Sequence, residues 1–106
     1  KGENVSVVLC GDFNEEADKP AAQELLNNRT LNLRNAFPDI PYTLFQSYGS
    51  DDYLIKSPID FIMHSGNLTL TKRLEAPEEG KVHEKGLLNT GYPSDHLSLY
   101  CELFMQ

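Results

Sequence analysis

Five polar side chains sit where apolar strand-like runs begin or end. Asp12 and Asn14 belong to GDFN at 11–14, which follows the apolar run Val5–Cys10. They are two apart, so extended backbone sends both to one side. They lie past the C-terminal end of a strand, where α/β folds place their sites. A carboxylate there can bind a metal or polarise a water, and a carboxamide can donate to a nonbridging phosphate oxygen. The plain alternative is an Asx-type turn that ends the strand, and the motif alone favours it. Asp60 interrupts the apolar stretch SPIDFIM. A buried carboxylate is costly unless it is paired, so it requires a partner. That partner is either a histidine that Asp60 orients, or backbone amides or an Arg. Asp95 and His96 lie in YPSDHLSLYCEL at 92–103, where a loop meets the last strand. Regular strand geometry would point the two to opposite faces. Both reach one site only if the loop-to-strand junction is irregular, as Pro93 allows. His96 can then act as general acid or base, or bind a transferring phosphate. Asp95 is a hard oxygen ligand suited to magnesium. A surface loop with a capping Asp and an incidental His is the alternative.

Each motif alone is modest, but together they supply the inventory of metal-assisted phosphate-ester hydrolysis. The other histidines read differently. His64 lies at a turn and reads as structural or exposed; His83 lies in a charged loop and reads as solvated. Tyr42, Phe45, Tyr48 and Tyr53 form a loose aromatic group before the Asp60 strand. One of them could stack on a base; core or loop anchoring is the commoner use of such residues.

Positioning these side chains requires a framework. The chain has 106 residues, a size that suits one domain with a shallow core. Its formal net charge of -7 argues against a standalone nucleic-acid binder, which needs a basic patch. A divalent metal could still reverse the local field and admit a phosphate. Cys10 and Cys101 sit in apolar runs and read as two buried free thiols of an intracellular protein, with a disulfide as the alternative. Val5–Cys10 reads as a strand buried on both faces. A helix with Pro20 in its first turn carries Ala21, Ala22, Leu25 and Leu26 as its apolar stripe and stops at Asn27 or Asn28. Leu31–Phe37 is apolar but of ambiguous type, and Pro41–Phe45 is extended. Residues 46–58 read as a loop. Ile59–His64 and Leu68–Leu74 read as a hairpin around Ser65-Gly66-Asn67. Residues 75–94 read as a long loop, and the alternation Leu97, Leu99, Cys101, Leu103 marks a strand with one buried face. Four or five strands with one or two helices predict a layered α/β fold.

The order GDFN, IDFIMHSG, YPSDHLSL resembles the C-terminal half of the endonuclease/exonuclease/phosphatase superfamily. The YP before the last motif, with TLNLRNAF and PYTLF at 30–45, resembles nocturnin and related poly(A) deadenylases. The resemblance implies a β-sandwich of mixed sheets with flanking helices. It implies in-line attack of water on a phosphate ester, with magnesium, or manganese in its place, stabilising the developing charge. It assigns Asp12 and Asn14 to the water and the scissile phosphate, and Asp12 and Asp95 to the metal. Asp60 would orient His96 as the catalytic histidine, and Asn14, His96, Phe45 and Lys56 would contact substrate. The substrates implied are the 3' end of poly(A) RNA or the 2'-phosphate of NADP(H), with no membrane partner. The family's principal metal-binding glutamate matches no segment of this chain. Residues 1–106 are therefore expected to form one domain, the C-terminal part of a longer catalytic domain. The competing expectation is a non-catalytic interaction module or degenerate half-domain.

Overall fold

The computed structural model describes residues 5–47, 54–76 and 94–105. Strand β5, Asp60–Ser65, is central to a three-stranded sheet of order β1-β5-β2. Its sequence alternates, so Phe61 and Met63 face one way while Asp60, Ile62 and His64 face the other. Both of its edges are taken by antiparallel partners, β1 (Val8–Asp12) and β2 (Leu33–Asn35). The β1 register sets Asp12 directly opposite Asp60 and Cys10 opposite Ile62.

The helix α1, Pro20–Leu26, covers the Phe61 and Met63 face. Pro20 occupies its start, where a fixed φ helps and no amide is missed. Ala22 is buried against Leu33, Phe61 and Met63, with Leu25, Leu26, Val7 and Leu9 packed around them. Phe13 turns to this same side, its ring 4.9 Å from that of Phe61. Apolar packing therefore claims one face of the sheet, and the two aspartates are left on the other.

Two antiparallel pairs complete the chain: β3 (Leu44–Ser47) with β4 (Leu54–Ser57), and β6 (Leu68–Arg73) with β7 (Cys101–Met105). The β6–β7 register shifts between Leu70 and Lys72. Every pairing between the described strands is antiparallel. The architecture is an α/β fragment of the expected kind. No described helix is long and apolar enough to cross a membrane.

Several expectations are corrected. Strands β5 and β6 are not a hairpin, because both edges of β5 are occupied and β6 pairs with β7 instead. Residues 46–58 are not simply a loop; they hold the end of β3 and all of β4, whose polar residues Gln46, Lys56 and Ser57 mask the alternation. Seven strands are present among the described residues rather than four or five. Val5–Cys10 is covered on one face only: Val7 and Leu9 meet the helix side, while Val8 and Cys10 are exposed. Cys10 is thus not a buried thiol, and Cys101 is half-buried. The last strand keeps its alternation, but its ladder runs over Cys101–Met105. Tyr48, Tyr53, His83 and Pro93 lie outside the described residues.

Met63 is fully buried beneath α1, which makes it the sensitive point of this core. Met63→Ala should cost about 3 kcal/mol through lost burial and a residual cavity. Met63→Leu, which conserves volume, should cost under about 1.5 kcal/mol. Urea unfolding midpoints at unchanged m-value measure both.

Candidate active site

Asp60 begins β5 with its side chain 17% exposed and its Oδ2 2.8 Å from His96 Nδ1. An ionised carboxylate only accepts, so this contact places the proton on Nδ1 and leaves Nε2 as the free ring nitrogen. Nε2 points between two further carboxylates. Asp12 Oδ2 and Asp95 Oδ1 each lie 3.9 Å from it. That separation is too long for a direct hydrogen bond and leaves a gap bounded by oxygens and a nitrogen.

Local backbone fixes each of these groups. Asp12 ends β1, and the Phe13 amide donates to Ile59 O at 2.9 Å, which extends the ladder by one residue. Asn14 then adopts a left-handed φ of 55°, and its amide donates to Asp12 Oδ1 at 2.8 Å. The expected Asx turn is therefore present, and it holds the Asp12 carboxylate with Oδ2 toward His96. It also breaks the extended geometry that was to carry Asn14 and Asp12 to one side, because the strand ends at Asp12. The irregular junction required for Asp95 and His96 is present as well. His96 forms an isolated bridge with Leu44, the Phe45 amide donates to Asp95 O, and the Leu97 amide donates to Thr43 O. The His96 amide donates to Ser94 Oγ at 3.1 Å, which closes a tight turn.

Among the described residues, Asp12, Asp60 and His96 present ligand atoms within 4.8 Å of one another and could hold a metal ion. Asp95 reaches the same space through its 3.9 Å approach to Nε2, yet lies outside that set. Carboxylate oxygens on facing elements suit a hard divalent cation. Asp12 and Asp60 are direct cross-strand neighbours of like charge, an arrangement that costs stability without a cation or donor between them. The donor chemistry thus fits a bound metal, although His96 Nδ1 and Asp60 Oδ2 are already committed to each other. The site borders a groove of about 310 Å³, whose apolar wall includes Cys10, Ile62, Leu97 and Leu99.

Phe45 and Lys56 face each other in the β3–β4 register. Phe45 is buried with Tyr42 and Leu97, and Lys56 Nζ stands 4.9 Å from the Phe45 and Tyr42 ring centroids. Both residues are next to the His96 loop rather than among the converging carboxylates. His64 is buried, with Nδ1 3.0 Å from Ser65 O, so its structural reading stands. Glu15 accepts from the Ala21 amide at the start of α1, and Glu16 accepts from Ser57 Oγ of β4, so both are already engaged away from the carboxylate cluster. Thr43 escaped the sequence reading. Its signal was a hydroxyl in an otherwise apolar segment, which must find a partner if it is buried.

A sequence model of the Endonuclease/Exonuclease/phosphatase family matches residues 1–96. The chain belongs to this family. Within the Endonuclease/Exonuclease/phosphatase family it is similar to nocturnin from Rattus norvegicus and Mus musculus, each 31% identical across 96% of this chain and 25% of that protein. Nocturnin from Homo sapiens is 28% identical with the same coverage. The chain spans about a quarter of the length of these curated relatives. The nocturnin-like character read from the motifs therefore agrees with the overall similarity.

Burial opposes the His96 imidazolium and is the largest single influence on it. The hydrogen bond to Asp60 and the charges of Asp60, Asp95 and Asp12 together outweigh it, so the pKa lies above the ordinary histidine value. A raised pKa means the folded chain holds the proton more tightly. The resulting stabilisation is complete below about pH 6.5 and is lost as pH rises through the raised value. In the metal-free chain, an NMR titration of the His96 ring should show the elevated midpoint. Asp60→Asn should lower it, and an unchanged midpoint in that variant would contradict the geometry.

Proposed function

We propose that this chain carries the histidine-bearing part of a metal-dependent phosphoesterase. The substrate class is a phosphodiester at an RNA 3' end such as poly(A), or a nucleotide 2'-phosphate such as that of NADP(H). The observation that supports it most is the Asp60–His96 pair, with Nε2 directed between Asp12 and Asp95. Family membership and the similarity to nocturnin point the same way.

In this reading Asp60 holds the ring by Nδ1, so Nε2 is the atom that takes, gives or shares a proton with a phosphate oxygen. Asp12, oriented by the Asn14 amide, turns Oδ2 toward the same point and can accept a proton from an attacking water. The resemblance in GDFN assigns the Asn14 carboxamide to a nonbridging oxygen as a neutral donor. Asp12 and Asp95 are the groups that would hold magnesium, or manganese in its place. The bound ion would supply charge stabilisation to the phosphoryl oxygens. Lys56, exposed beside the His96 loop, offers a cation to a nucleotide, and the buried Phe45 ring backs it.

The test is hydrolysis by the protein that contains this chain, with oligo(A) and NADPH as parallel substrates. Magnesium should be required, and EDTA should abolish product release. His96→Ala and Asp60→Asn should each lower kcat by about 10² to 10⁴-fold, the usual worth of a positioned acid or base. Full activity in His96→Ala would remove His96 from the mechanism. If titrated magnesium leaves the Asp95 and His96 NMR signals unmoved and no product forms, the non-catalytic interaction module is the better account.

A further inference from the structure

Thr43 is fully buried, and each of its polar atoms is hydrogen-bonded. Its Oγ1 accepts the Ile59 amide at 2.9 Å and the Asp60 amide at 3.0 Å. The same hydroxyl donates to Ser57 O at 3.4 Å. Its main-chain amide donates to Ser57 O at 3.0 Å, and its carbonyl accepts the Leu97 amide at 2.7 Å. One residue thus grips the backbone of Asp60 and the backbone next to His96. The 2.8 Å bond between the Asp60 and His96 side chains closes the circuit. Asp60 and His96 are 36 residues apart, and Thr43 is bonded to the main chain on both sides of their contact.

We propose that Thr43 is a positioning residue that sets the register between Asp60 and His96. It touches no reacting atom and acts through the pair. A hydroxyl is required because the two successive amides at residues 59 and 60 converge on a single side-chain oxygen where β5 begins. Valine would match the shape and leave both amides without an acceptor; serine would keep the acceptor. The catalytic meaning of this role rests on the phosphoesterase reading above, whereas the geometry does not.

The experiment compares Thr43→Val and Thr43→Ser in this chain, reading the His96 Nδ1–H proton by NMR. That proton reports the Asp60 bond directly, and a loss of global stability alone would not move it while the chain is folded. In Thr43→Val its exchange with water should rise about tenfold, the consequence of losing a hydrogen bond of ordinary net strength. Thr43→Ser should restore it to near the parent rate. A folded Thr43→Val chain with an equally protected Nδ1–H overturns the proposal. Native-state amide exchange in the unaltered chain decides the matter if Thr43→Val does not fold. The Ile59, Asp60 and Leu97 amides should then open together, with one common protection. A Leu97 amide that exchanges independently of Asp60 overturns it. In an active parent protein, Thr43→Val should lower kcat with KM unchanged. Loss of the Nδ1–H protection in a parent without hydrolytic activity would sink the phosphoesterase reading alone and leave the positioning role intact.

Discussion

Asp60 places a charge at the head of the central strand of a sheet, and much of the surrounding geometry answers that one cost. A carboxylate drawn out of water must keep its oxygens occupied. Here His96 supplies the donor, and Asp60 in return fixes which ring nitrogen carries the proton. The pairing requires a loop far along the chain to come within hydrogen-bond reach of β5. Bonds from that loop to β3 hold it there, and β3 is in turn tied to β5 through one buried hydroxyl. The His–Asp contact is the visible end of a circuit made mostly of main-chain bonds.

The two faces of the three-stranded sheet divide the work. One is a conventional packing surface, with Phe61 and Met63 under α1. The other carries charges that packing could not accept. The dipeptide Asp12-Phe13 shows the division at its sharpest: Phe13 anchors on Phe61, so Asp12 is presented to the opposite side. The Asx turn that follows orients the carboxylate that faces His96.

Much of this was legible in the sequence. Pro20 and Asn27 mark the helix because their effects are local to the backbone. Asp60 was marked by its apolar neighbours, and its need for a partner followed from solvation alone. The hairpin at Ser65-Gly66-Asn67 was misread because a turn signal tells which way the chain reverses, not whether an edge is free. That edge was already taken by β1 and β2, whose pairing depends on residues far away in sequence. The exposure of Cys10 was invisible for a related reason. An apolar run states that burial is tolerated, and the covering element decides whether it occurs. Thr43 went unnoticed because a single hydroxyl has no periodicity, and its partners are 16 and 17 residues away.

The arrangement of β5 and β6 also bears on how the chain reaches its native state. A tight turn joins them, so the pairing of fewest intervening residues is a hairpin between the two. Such a hairpin costs little chain entropy to close and forms on the microsecond scale. It is nevertheless absent from the final sheet order. Any molecule that zips it first has spent an edge that β1 or β2 must occupy, and must unzip before the sheet can close. The sequence-distant closures that seat Asp12 and His96 beside Asp60 therefore compete with a nearer, quicker and unproductive one. The turn that is easy to recognise from the sequence thus favours a pairing that the native sheet does not keep.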